Sequence, residues 1–199
     1  DGTVVLTTIY KDNCFGRGAC ARIYIQDGPG TGRNFHDLHK NWKRGIYLAS
    51  HIEIENNLKI DGAGFIDAYY QAINTNYNIT VGGNIDIQKS NNFYSANGKV
   101  ILNGSSAQTI KSPASFKHLQ IDKKSDVSLL KATTATGTLT IESEAKLDIN
   151  GKNLTAGTLA NNGNLQLKGS ETLSITNKDT DSGTITYDGS ATGLKYGNA

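Results

Sequence analysis

From about residue 52 onward, apolar and polar residues alternate in short bursts: "HIEIENNLKIDG", "YNITVGGNIDIQ", "GKVILNG", "HLQID", "DVSLL", "GTLTIES", "AKLDING", "NLTAGTL", "GNLQLKGS", "TLSIT" and "GTITYDGS". The apolar stretches have strand length, and Gly, Asn, Asp or Ser stands between them, so the pattern predicts many short strands joined by tight turns. Only "NFHDLHKNWKRG", residues 34–45, has spacing that suits a 3.6-residue period. An all-β chain is the expectation.

The bursts repeat, which separates a solenoid from a sandwich. "NITVG" at 78–82 returns as "NLTAG" at 153–157, an offset of 75; "GNIDIQ" at 83–88 returns as "GNLQLK" at 163–168, an offset of 80; "GKVILNGSS" at 98–106 returns as "GTITYDGSA" at 183–191, an offset of 85. These matches read as one module of about 80 residues whose second copy is incomplete at Ala199. The chain contains no Met, and it reads as a processed or excised segment.

Residues 78–199 resemble a pattern found in very large bacterial surface and secreted proteins, "GTVxFNGxxxQTIxGxxxFxNLxI", then "GTLTLxxGxLdLNGxxLTVGG", then "NNGTLxLxG". The matching positions include Gly98, Val100, Asn103, Gly104, Gln108, Thr109, Ile110, Phe116, Leu119, Ile121, Gly137, Thr138, Leu139, Leu147, Asn150, Gly151, Leu154, Thr155, Asn161, Asn162, Gly163 and Leu167. The resemblance implies a right-handed parallel β-helix within an adhesin-like protein, and it implies no catalytic residues. In such a fold each rung of roughly 20 residues stacks on the next at about 4.8 Å, inward Leu, Ile and Val form columns, and Asn, Gly and Asp occupy the turns. About ten rungs are expected, a rod of roughly 45–50 Å. The resulting division is an irregular N-terminal cap or extension at 1–51 followed by β-helix repeats at 52–199.

Composition fits this reading. Of 199 residues, 37% are hydrophobic and 19% charged, enough to bury a core, while 22 glycines and 2 prolines suit turns better than helices. The net charge of +2 is spread along the chain, so no nucleic-acid partner is expected. No apolar run approaches the roughly 18 residues that would span a bilayer. Cys14 and Cys20 bracket "FGRGA" and read as a local disulfide, with two free buried thiols as the alternative. A disulfide implies an oxidising compartment and contributes about 2 kcal/mol in the loop-entropy account.

Side chains able to carry chemistry are few. His36, His39 and His51, with Asp37, are a candidate metal set, and incidental histidines on a solvated turn are the alternative; His118 reads as a turn residue. Asp179 and Asp181 in "NKDTDSG" resemble the start of a calcium loop but lack its later bidentate carboxylate, so a plain Asx-rich turn competes with calcium there. Asp86, Asp122, Glu142, Glu144 and Asp148 form no recurring carboxylate column, and no nucleophile elbow or phosphate loop is present, so no enzyme is expected. The first 50 residues concentrate aromatic and Arg side chains. Tyr24, Arg33, Trp42, Arg44 and Tyr47 are the candidates for contact with a glycan or protein partner, and a cap over the apolar end of the coil is the alternative.

The expectation is a non-catalytic structural or adhesive module, extracellular or on the cell surface. It would join neighbouring modules, associate with itself, or touch glycans or a host surface. A carbohydrate-binding or polysaccharide-cleaving β-helix is the alternative.

Overall fold

A computed structural model describes residues 23–25, 33–40, 45–70, 74–122 and 124–190, with the backbone alone at 23–25, 33–34 and 70. Cys14, Cys20, Trp42 and Arg44 lie outside the described residues. Within them the chain is an all-β parallel solenoid of about 7 turns. That is fewer than the ten rungs expected, because two early coils are longer than 20 residues and residues 1–22 are not among those described.

Each full coil visits three faces. The first face holds β1 (Ile23–Ile25), β4 (Ile46–Leu48), β7 (Ile66–Asp67) and β12 (Phe93–Tyr94), hydrogen-bonded in that order. The second holds β2 (Arg33–Phe35), β5 (Ile52–Ile54), β10 (Ile79–Val81), β13 (Lys99–Leu102), β16 (His118–Ile121), β18 (Thr133–Ile141), β20 (Leu154–Asn161) and β22 (Leu173–Asn177), with β15 (Ser115–Phe116) also paired to β18. The third holds β3 (Leu38–Lys40), β6 (Leu58–Ile60), β11 (Ile85–Ile87), β14 (Gln108–Lys111), β17 (Asp126–Leu129), β19 (Lys146–Asp148), β21 (Asn164–Leu167) and β23 (Thr184–Tyr187). All these pairings are parallel; the antiparallel exception is a hairpin of β8 (Tyr69–Tyr70) and β9 (Thr75–Asn76).

Alternation along each strand puts every second side chain inside. Register then stacks like on like: Ile52, Ile79, Val100, Leu119, Leu139 and Leu159 form one column on the second face. Leu38, Leu58, Ile85, Ile110 and Leu129 form another on the third. These residues are 5% exposed or less, which is what lets strands of three or four residues persist. A buried Leu or Ile contributes about 1.5–3 kcal/mol, whereas isolated strands this short would not pair in water.

The steps along these columns define the repeat. Leu119 to Leu139 to Leu159 advances 20 residues at a time. From Ile52 to Ile79 and from Leu58 to Ile85 it advances 27, because the β8–β9 hairpin is inserted in that coil. The unit is thus one coil, and four coils span the 80 residues from Ile79 to Leu159. "GNIDIQ" and "GNLQLK" lie on β11 and β21 of the third face, but "NITVG" and "NLTAG" are out of register: Ile79 belongs to the column of Leu159, whereas Leu154 stacks on Thr133 and Leu173. The third match does not hold, since "GKVIL" forms β13 on the second face and "GTITY" forms β23 on the third.

The boundary drawn at residue 51 falls inside the solenoid. β1 pairs with β4, β2 with β5 and β3 with β6, so the ladders already run from Ile23. Nor is the stretch at 34–45 helical where described: Phe35 and Leu38 are buried, with His36 and Asp37 turning outward at the corner between β2 and β3.

Polar ladders hold the corners. Asp37 accepts from the main-chain and side-chain amides of Asn57 at 2.9 and 3.1 Å, Asn57 accepts both from Asn84 at 2.9 and 3.1 Å, and Asn84 accepts from the Thr109 main chain and hydroxyl at 2.8 and 2.9 Å. One coil's turn thereby supplies the acceptor for the next coil's donors. Inside the corner, Gln108 is 1% exposed; it accepts from Gly104 N–H at 2.9 Å and donates to the Val81 and Gly83 carbonyls at 3.0 and 2.6 Å. At the corner between the first and second faces, a Cβ on Gly157 would lie 2.7 Å from the Gly137 carbonyl oxygen, so coils can close to hydrogen-bonding distance only with glycine there.

Two substitutions test this account by urea denaturation. Leu139→Ala empties the middle of a column and is expected to cost about 2–5 kcal/mol, while Thr140→Ala beside it, facing outward, stays within about 0.5 kcal/mol. Gln108→Leu is expected to destabilise by about 1–3 kcal/mol for each buried backbone group it leaves unpaired, although leucine is the more apolar residue.

Candidate binding face

The outward positions of the first face align into one row. Tyr47 pairs with Asp67 and Asp67 with Tyr94, because Ile46, Ile66 and Phe93 take the inward positions beside them, and the backbone of Tyr24 is in register with that of Tyr47. Phe65, just before β7, sets its ring between those of Tyr47 and Tyr94, 5.5 Å from each and nearly perpendicular to both. Edge-to-face pairs of this kind hold each ring in place by quadrupole attraction and apolar contact. Gly45 makes room for it: a Cβ there would lie 2.5 Å from the Phe65 ring. Tyr94 remains 45% exposed, and it and Leu130 are the large hydrophobic residues that stand exposed among those described.

Asp67 is the carboxylate of the row. It accepts the Tyr69 N–H at 3.0 Å, but burial beside the rings outweighs that bond and raises its pKa above the ordinary carboxylate value.

Beyond Tyr94 the row opens into a cleft of about 320 Å³. Phe93 and Phe116, buried and with ring centroids 5.8 Å apart, form its floor, and Ser95, Ser115, Lys117 and Thr136 stand around it. Ser95 Oγ accepts the Lys117 main-chain N–H at 2.7 Å, which fixes the wall. The Lys117 ammonium has no carboxylate partner among the described residues. Next to it, the imidazole of His118 on β16 has its pKa lowered by burial and by Lys117 and Lys99, so the local field is positive.

Elsewhere on the surface several charges are paired, most of them between coils. Lys111 reaches Asp86 at 3.4 Å, Lys146 reaches Asp126 at 2.8 Å, Lys168 reaches Asp188 at 2.6 Å, and Asp61 holds both His39 at 2.9 Å and Lys59 at 3.0 Å. These pairs are partly exposed and each is worth little alone. Their effect is to occupy the carboxylates.

The other sequence candidates separate. Arg33 shares its register with Ile52 on the second face, away from the aromatic row. The three N-terminal histidines do not converge: His36 meets Glu55 and Asn56, His39 meets Asp61, and His51 accepts the Asn78 N–H at 2.8 Å. No three His, Cys, Asp or Glu side chains among the described residues gather closely enough to hold a metal. The Asp179 carboxylate accepts the N–H groups of Asn161 at 2.6 Å, Asp181 at 3.2 Å and Ser182 at 3.3 Å, which is the work of an Asx-rich turn tying the last two coils together. Burial opposes its ionisation, yet these donors win and its pKa is lowered. Phe65, Tyr94 and Lys117, none of them singled out from sequence, complete the face.

No protein-family model matches the chain, and no curated protein or solved structure matches it either. What the coordinates define is a class, the parallel β-solenoid repeat proteins. That is the fold implied by the resemblance to bacterial surface proteins, while their adhesive role has no relative behind it here.

Asp61 gives a pH test. Lys59 and His39 bond its carboxylate and depress its pKa, so its contribution is present above the unfolded value of about 4 and is lost as pH falls through the depressed folded value. The urea midpoint of the wild type is therefore expected to drop more between pH 7 and pH 3 than that of Asp61→Asn; equal drops would show that the cluster is without effect.

Proposed function

We propose that this chain is a non-catalytic structural and adhesive module of an exported protein, a solenoid rod that joins further modules or copies of itself and presents one face for contact. The observation that carries this reading is the contrast between two faces: on the third, Asp86, Asp126 and Asp188 are paired with lysines of adjacent coils, and the first carries a row of rings ending in the exposed Tyr94, with Lys117 beside it and no carboxylate bound to that lysine among the described residues. Hydrolysing a glycosidic bond in the usual way takes two carboxyl groups flanking it, and the first-face row offers a single one, Asp67. Binding without cleavage suits such a face. No helix among the described residues is long and apolar enough to cross a membrane. The Cys14 and Cys20 pair supports export if it is oxidised.

Three measurements test this. Incubation with polysaccharides should release no reducing ends, and sustained release would make the chain an enzyme. Without reductant, Cys14 and Cys20 should resist alkylation in denaturant; rapid labelling of both would remove the support for an oxidising compartment. Sedimentation should show association that grows with concentration. A compact monomer at every concentration, from a gene encoding nothing further, would overturn the rod.

A further inference from the structure

We propose that the first-face aromatic row and the cleft beyond Tyr94 form a binding strip for an anionic polysaccharide, a chain of sugars carrying carboxylate or sulfate groups and lying along the solenoid axis. The proposal rests on the adhesive reading and names its ligand class.

A sugar ring has an apolar C–H face and a rim of hydroxyls, and it needs an aromatic surface together with hydrogen-bonding groups at its edge. The strip supplies both. Tyr47, Phe65 and Tyr94 come from three successive coils with neighbouring ring centroids 5.5 Å apart, held edge to face, so the surface is ordered before any ligand arrives. Beside them stand the Asp67 carboxylate and the hydroxyls of Ser95, Ser115 and Thr136. The cleft of about 320 Å³ sits at the small end of the range for ligand pockets, a size suited to a single sugar unit with its acid group.

Charge decides which sugar. Lys117 is the one ionised group lining the cleft, and no carboxylate among the described residues neutralises it, whereas Lys111, Lys146 and Lys168 each have an acidic partner on an adjacent coil. An unmatched ammonium at the edge of a ring-floored cleft attracts an acid group and gains nothing from a neutral polymer. Rings and a lysine also suit single-stranded nucleic acid. The spread of charge argues against it: the net charge of +2 is scattered along the chain, with no basic stripe to track a phosphate on every unit, whereas an acidic sugar chain can set its acid group at Lys117 and its hydroxyls along the row beside Asp67.

The test is binding of the full chain to immobilised polygalacturonate, dextran sulfate, neutral dextran and a single-stranded oligonucleotide. The wild type is expected to bind one or both acidic polymers and not dextran, and the two acidic arms tell carboxylate from sulfate. Tyr94→Ala and Lys117→Gln are each expected to weaken that binding about tenfold, whereas Lys152→Gln, between β19 and β20, leaves it unchanged. Urea midpoints equal to wild type confirm that these substitutions spare the fold. No binding to either acidic polymer overturns the proposal, as does binding that Tyr94→Ala leaves intact or that Lys152→Gln weakens as much as Lys117→Gln. Tighter binding to the oligonucleotide overturns it as well. A chain that still self-associates but binds no sugar loses only the ligand assignment; one that shortens the polymer loses the non-catalytic reading.

Discussion

In a parallel coil, a residue that points inward on one turn must find a compatible inward residue about 20 positions later, because register places the two directly in contact. Leu119 is constrained by Val100 and Leu139, and Leu139 in turn by Leu159. Nothing in this chain resembles a separate core around which strands are arranged; the columns are the core, and the backbone ladders that space the coils also hold the columns in line. Strands of three residues suffice since each is paired on both sides along most of the axis. The corners obey the same rule with polar groups: Asp37, Asn57, Asn84 and Thr109 repeat one hydrogen-bonding arrangement over four coils.

This explains what was legible in the sequence. Alternation in "GKVILNG", "HLQID" and "GNLQLKGS" marks β13, β16 and β21 directly, since inward and outward positions differ in polarity. The faces are harder to tell apart. A strand on the second face and one on the third share the same alternation and the same Gly and Asn borders, so "GKVILNGSS" and "GTITYDGSA" look equivalent although they occupy different faces. The early coils were obscured by their polar corners: His36 and Asp37 interrupt the apolar signal of β2 and β3, and the inserted hairpin stretches one period to 27 residues.

The binding face was half legible for a related reason. Tyr24 and Tyr47 stand out in "IYI" and "IYL", and aligning the chain by coil rather than by module sets "ID" at 66–67 against "FY" at 93–94, which brings in Tyr94 and, just before β7, Phe65. Lys117 carried no such signal. Its distinction is its place at the edge of the ring-floored cleft, and that depends on which residues the register brings alongside.

Because stacking fixes the inward half of every strand, only outward rows are free to differ between faces, and specificity has to be written there. On the third face the outward row from His39 through Lys59 and Asp86 to Lys111 mixes charges that satisfy one another. Such a row adds coil-to-coil contact and leaves little for a ligand. On the first face the rings of Tyr47, Phe65 and Tyr94 meet edge to face, Tyr94 stays 45% exposed, and Lys117 meets no acid among the described residues, so part of the row remains available to a partner. A rigid, periodic scaffold therefore favours a partner that is itself periodic: an extended polymer can meet ring after ring along the axis, whereas a compact ligand would engage a single coil.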